Sequence, residues 1–155
     1  MINKVNITPD GNCFYRSVSE FLYDTEDKYN LIRMAIYSYA LSNINEISEF
    51  QPNVEIERNI YIDTKTYIRK MNENNKFWAG DIEMNIACYI FGISMVIYKN
   101  IINDIIHDEY HEYIESINLS KNLNYNTPIM IISHINNNHY NILYFKENYK
   151  ESQIQ

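Results

Sequence analysis

The sequence predicts an α+β domain, with helices first and a mostly antiparallel sheet after them. Two observations carry that prediction. Apolar residues recur at helical spacing in three stretches before residue 93, at 14–22, 32–47 and 82–93. From residue 93 onward, short apolar and β-branched runs bounded by turn residues take over, as strands require. The 155 residues suit one compact domain, taken as 1–148, with a polar tail at 149–155. No repeat and no Pro- or Gly-rich linker interrupts it; early helices packed on a late sheet are the expected layers.

Each element has its own signal. Residues 1–9 form a short lead-in in which Val5 and Ile7 alternate and Pro9 stiffens entry to a turn. The turn is Asp10-Gly11-Asn12, where Gly11 permits a positive φ. Phe14, Val18, Phe21 and Leu22 then mark one face of a helix from Cys13 to Tyr23. After the polar stretch Asp24 to Lys28, a second helix follows from Ile32, Ala35, Ile36, Tyr39, Ala40, Ile44 and Ile47. Residues 48–60 lose periodicity around Pro52 and read as an irregular surface connection. Tyr67, Ile68 and Met71 suggest a shorter helix over Thr64 to Glu73. The third strong helix takes Asp81 as N-cap, runs through Ile82, Ile86, Tyr89 and Ile90, and stops at Gly92. Met84, Cys88 and Phe91 make its other side apolar too, which predicts a buried central helix with Cys88 as core filler. Strands are expected at Ile93 to Tyr98, His111 to Ile117, Pro128 to Ile135 and His139 to Phe145, with Asn136-Asn137-Asn138 as a hairpin turn.

Composition excludes several classes of function. A net charge of −7 argues against nucleic-acid binding and suits a basic protein partner. Two cysteines, Cys13 and Cys88, make neither a disulfide framework nor a four-cysteine zinc site. No apolar run is long enough to span a membrane and no secretory signal pattern opens the chain, so a reducing, cytoplasmic setting is expected. Fifteen tyrosines with abundant Asn and Ile suggest an A/T-rich viral or bacterial genome. His107 and His111 have the i, i+4 spacing of a zinc helix. Asp108 stands where the metalloprotease pattern needs Glu, however, and no metal or other cofactor is expected.

The chemistry gathers around Cys13, placed where a turn becomes the first turn of a helix. Unpaired N–H groups there favour a thiolate and can hold a developing oxyanion. A thiolate nucleophile needs a base, and the base needs an orienting group. Among His107, His111, His134 and His139, the last is the best base, because it opens a strand right after a turn. Strand alternation puts His139 and Asn141 on one face and Tyr140 on the other, so Asn141 can accept a hydrogen bond from the imidazole. His134 lies mid-strand and reads as a sheet-face residue. The order Cys, His, Asn is that of papain-like proteases.

Three blocks carry a resemblance that covers residues 10 to about 145. They are Asp10-Gly11-Asn12-Cys13-Phe14-Tyr15-Arg16-Ser17, Phe77-Trp78-Ala79-Gly80-Asp81-Ile82-Glu83-Met84, and His139-Tyr140-Asn141. In order and spacing the chain resembles the ovarian-tumour (OTU) family of cysteine proteases. The resemblance implies a papain-like fold and hydrolysis after the C-terminal glycine of ubiquitin, or of a ubiquitin-like modifier. It implies Cys13 as nucleophile, His139 as general base and Asn141 as its orienting group. The loop of Asp10, Gly11, Asn12 and Cys13 would supply the oxyanion hole, supported by the Asp10 side chain. Trp78, Ala79 and Gly80 would line the channel for the ubiquitin tail. Two positions depart from the family pattern: many members have Gly where Ala79 stands, and several have Asp where Asn141 stands. The expected partner is ubiquitin or polyubiquitin, bound by a monomer, in the host cytoplasm if the source is a virus or a bacterial effector. The alternatives are a non-catalytic ubiquitin-binding module of the same fold and a papain-like peptidase on other substrates.

Overall fold

The computed structural model describes residues 2–73, 77, 79–99, 128–135 and 139–145. In chain order the elements are β1 (Ile2–Val5), α1 (Cys13–Tyr23), a 3-10 turn (Glu26–Lys28), α2 (Tyr29–Ser42), α3 (Ile44–Phe50), β2 (Asn53–Glu57) and β3 (Ile60–Asp63). They continue with α4 (Thr64–Lys70), α5 (Asp81–Phe91), β4 (Ser94–Lys99), β5 (Ile129–Ile135) and β6 (His139–Phe145). Four strands form the main sheet in the order β1-β6-β5-β4, antiparallel except for the parallel pair β4 and β5. The α+β class expected from the sequence, helices packed on a mostly antiparallel sheet, is the one observed.

α1 lies on β6, α2 packs against α1 and α5, and α5 leads into β4. Phe14, Val18, Ile32, Ile36 and Ile86 from the helices meet Met95, Ile97, Met130, Ile132 and Ile142 from the sheet in one buried core. Burying a side chain of that size contributes about 1.5–3 kcal/mol. The helices on this core are therefore the frame on which the site is mounted.

α1 begins and ends where the sequence placed it; Asp24 closes it in the left-handed conformation, φ 58°, its N–H returning to Glu20 O at 3.0 Å. The single helix expected across 32–47 is two. Asn43 separates α2 from α3, and its side-chain Nδ2 donates to Tyr39 O at 2.9 Å, competing with the helical ladder. The lead-in contains an edge strand: Lys4 pairs with Leu143 and Val5 with Ile142, long-range partners that local alternation does not reveal. The stretch 48–60 is likewise not irregular, since β2 and β3 make a two-stranded antiparallel ribbon. It turns at Asn59, which takes φ 62° as Asn tolerates. α4 starts on Asp63, whose carboxylate accepts from Thr66 N–H at 3.1 Å, and stops at Lys70, short of Glu73.

Gly80, not Asp81, is the N-cap of α5, and Asp81 is the first helical residue. α5 buries Ile82, Met84, Ile86, Ala87 and Cys88, so it is the central helix expected, and Cys88 is core. Gly92 ends it at φ 64°. The strand expected at 111–117, the turn at 136–138 and the tail at 149–155 lie outside the described residues. No helix among the described residues is long and apolar enough to cross a membrane.

Candidate active site

Cys13 is the first residue of α1, capped by Asn12, and only 1% of its surface is exposed. The turn before it needs no positive φ at Gly11; among the described glycines only Gly92 adopts one. The loop is held by a carboxylate instead. Asp10 Oδ1 accepts from Asn12 N–H at 2.9 Å, and Arg16, one helical turn into α1, binds the same carboxylate through Nε and Nη2 at 2.8–3.1 Å. The Arg16 guanidinium lies 3.9 Å from the centre of the Tyr29 ring and 3.9 Å from Glu26 Oε1, which in turn accepts from Thr8 N–H at 3.1 Å. Residues 8–12 are thus tied to α1 and the 3-10 turn at both ends. Arg33 Nη1 donates to Asn12 Oδ1 at 3.3 Å and adds a link to α2.

Arg16 holds the Asp10 carboxyl below its usual value by hydrogen bonding. The folded state thereby gains stability that is present above the ordinary Asp value and lost as pH falls through the lowered one. Arg16→Met is expected to be less stable than the parent at neutral pH, with the gap closing below pH 3.8. Unfolding midpoints measured across pH check this; a gap that persists in acid would contradict it.

The orienting pair is equally definite. Asn141 Oδ1 accepts from Ile7 N–H at 2.9 Å and lies 2.9 Å from His139 Nε2. An amide oxygen only accepts, so Nε2 donates, and in the neutral imidazole Nδ1 then holds the lone pair that can take a proton. Asn141 is 3% exposed, and its bond to Ile7 fixes its side chain from a second element. His139, partly exposed, opens β6 as expected.

Tyr140 joins Cys13 to this pair. Its backbone N–H hydrogen-bonds the Cys13 side chain, and its carbonyl accepts from Ser17 Oγ at 3.5 Å. The Phe14 and Tyr140 rings meet edge to face at 5.7 Å. The N-terminus of α1 is therefore seated on β6 at the residue between His139 and Asn141. The charge state differs from the expectation of a favoured thiolate. Burial pushes the Cys13 thiol up, outweighing the pull of the backbone N–H groups of Tyr140 and Phe14.

Asn12 N–H is engaged by Asp10, and Cys13 N–H reaches the Asp10 carbonyl at 3.2 Å. Asn12 therefore shapes the loop while its own amide is occupied. Ala79 and Gly80 lie at the start of α5, and Tyr140 Oη donates to Ala79 O at 3.1 Å, which ties that segment to β6. Among the described residues a Cβ on Gly80 would meet Glu83 Oε2 at 3.8 Å, an ordinary van der Waals contact. Trp78, His107 and His111 and the side chain of His134 lie outside the described residues. Among the described residues no three His, Cys, Asp or Glu side chains gather as a metal site.

Sequence reasoning quoted Arg16, Glu83 and Tyr140 without giving them roles. Arg16 is six residues from Asp10, a separation that has meaning only once the turn folds back on α1. Strand alternation turns the Tyr140 side chain away from His139, and there its hydroxyl reaches Ala79 O while its carbonyl accepts from Ser17 on α1.

Residues 8–140 match the family model described as OTU-like cysteine protease. A relative, OVARIAN TUMOR DOMAIN-containing deubiquitinating enzyme 7 of Arabidopsis thaliana, is 29% identical over 96 residues, 62% of this chain. That match spans only 24% of the plant protein's length. Among solved structures, the OTUD1 OTU domain superposes with a TM-score of 0.70 at 19% identity, covering 93% of this chain and 86% of that one. An OTU deubiquitinase from Wolbachia pipientis wMel, bound to ubiquitin, gives 0.59 at 13% identity, covering 94% and 97%. The family match covers most of the chain and agrees with the observed fold. The chain belongs to the OTU-like cysteine proteases.

Proposed function

We propose that this chain is a deubiquitinase that hydrolyses the amide bond after the C-terminal glycine of ubiquitin, with Cys13 as nucleophile, His139 as base and Asn141 as orienting group. The observation that carries the reading is the pair of bonds at Asn141 Oδ1. They make Nε2 the donor, so the neutral imidazole carries its lone pair on Nδ1, on the strand against which Cys13 is seated. That is the state a general base must have.

His139 Nδ1 takes the Cys13 proton as the sulfur attacks the glycine carbonyl, forming a C–S bond and a tetrahedral oxyanion. That oxyanion meets the loop leading into α1, whose Asn12 and Cys13 N–H groups rest on Asp10 and stabilise it by exchanging that partner for the oxyanion. The imidazolium returns its proton to the departing lysine amine as the C–N bond breaks. Water, deprotonated by His139, then cleaves the thioester and restores the thiol. Burial disfavours the Cys13 thiolate, so proton removal by His139 belongs to the attack itself.

In this reading Trp78, Ala79 and Gly80 line the channel for the ubiquitin tail, and residues 1–148 are the catalytic unit, a monomer acting in a cytoplasm. Deubiquitinase function is supported by the Arabidopsis relative, a deubiquitinating enzyme, and ubiquitin as partner by the ubiquitin-bound Wolbachia enzyme. A panel of ubiquitin dimers and a peptide-amide library test it. Cleavage of at least one dimer with no turnover of the library is expected; the converse pattern points to an ordinary peptidase.

A further inference from the structure

Glu83 is a carboxyl that the mechanism above does not use, yet it is 1% exposed, a placement that needs explanation. It sits at the third position of α5 and turns back on the helix start. Its Oε2 accepts from Gly80 N–H at 2.6 Å, and its Oε1 is hydrogen-bonded by the Tyr67 hydroxyl from α4. Burial pushes its carboxyl up, and Asp81 adds to that. A carboxyl that is costly to bury is held here by the Tyr67 hydroxyl and directed at the Gly80 backbone N–H.

The neighbouring peptide is held from the other side. Tyr140 Oη donates to Ala79 O at 3.1 Å, and both residues are buried. Two consecutive residues therefore have backbone groups fixed by buried side chains from α5 and from β6. The second of those anchors comes from the residue whose own N–H bonds the Cys13 side chain.

We propose that Glu83 is a positioning residue: with the Tyr140 hydroxyl it fixes the Ala79–Gly80 backbone at a set distance from Cys13 and so aligns the incoming ubiquitin tail. The inference rests on the deubiquitinase reading for its substrate and on the hydrogen bonds alone for the backbone it fixes. Glu83 acts on binding and alignment, leaving the Cys13–His139 chemistry untouched.

Three variants test it. Glu83→Gln keeps an oxygen acceptor for Gly80 N–H and turns its amide NH2 toward the Tyr67 oxygen, in the shape of the original carboxyl. Glu83→Leu removes both, and Tyr140→Phe removes only the hydroxyl bond to Ala79. The readouts are KM and kcat for ubiquitin carrying a C-terminal fluorogenic amide, alkylation of Cys13 by chloroacetamide, and hydrogen exchange at the Gly80 amide.

Glu83→Leu is expected to raise KM about tenfold or more, because small misplacement at a binding site is expensive. Its alkylation rate should stay within about twofold of the parent and its Gly80 protection should be lost, whereas Glu83→Gln restores both KM and protection. Should Glu83→Leu not fold, Tyr140→Phe decides, with KM expected to rise about threefold at unchanged alkylation. Equal losses of KM, kcat and alkylation in Glu83→Leu, or an unchanged KM in Tyr140→Phe, overturn the proposal. A parent that never turns over ubiquitin, with Gly80 protection still following Glu83, sinks the substrate half and the deubiquitinase reading together while the backbone half stands.

Discussion

Cys13→Ala is expected to abolish hydrolysis of a ubiquitin C-terminal amide, and His139→Ala to lower kcat by about 10³-fold or more, as loss of a base does in acyl-transfer enzymes of this type. The two effects are not additive, since each removes the same proton-transfer unit. Neither change should unfold the protein. Cys13 is buried at a helix start where alanine fits, and His139 is only partly buried. Steady-state kinetics on the parent and three variants, the third being the double, check the size and the non-additivity. A pH series on the resting enzyme adds a second check. Burial pushes the Cys13 thiol up, so alkylation by chloroacetamide should keep climbing through neutrality and beyond. A rate that levels off well below neutrality would show a preformed thiolate instead.

Asn141→Ala is the second large effect, and it differs because it reaches both activity and stability. The amide oxygen serves two donors, His139 Nε2 and Ile7 N–H, at 2.9 Å each. Its removal leaves the Ile7 N–H buried and unpaired, which costs about 1–3 kcal/mol of stability. The same removal frees the imidazole to rotate or to change tautomer, and kcat is expected to fall about 10–100-fold. Asn141→Asp keeps an acceptor for both donors, and its carboxylate favours imidazolium, so activity within about tenfold of the parent is expected. Urea unfolding and kcat measured on both variants separate the two contributions. If Asn141→Ala loses activity at full stability, the Ile7 bond is not the anchor described here.

Much of this site was legible in the sequence because its logic is local. The turn at Asp10 to Asn12, the helix that begins at Cys13 and the strand that begins at His139 each follow from spacing over fewer than a dozen residues. Strand alternation alone put His139 and Asn141 on one face. The parts that were not legible depend on partners distant in the chain. Ile7 and Asn141 are 134 residues apart, so nothing near Ile7 announces that its amide anchors the orienting residue. β1 is a strand only because β6 offers it an edge, and the ribbon at 53–63 turns on a left-handed Asn59 within a stretch whose charges hide its alternation. The thiolate expectation failed for a related reason: helix position is visible in a sequence, but burial is not, and burial decided the direction. Glycine was over-read as well, because a carboxylate–guanidinium pair, and not a positive φ, shapes the turn at Gly11.

The most direct test of the central claim is reaction with ubiquitin carrying an electrophile at its C-terminus, followed by peptide mapping of any adduct. The expected result is one covalent adduct on Cys13, absent from Cys13→Ala, strongly slowed in His139→Ala, and blocked by competing ubiquitin. No adduct, an adduct on Cys88, or equal labelling of the His139→Ala variant would contradict the assignment of Cys13 and His139 as a nucleophile–base pair acting on the ubiquitin tail.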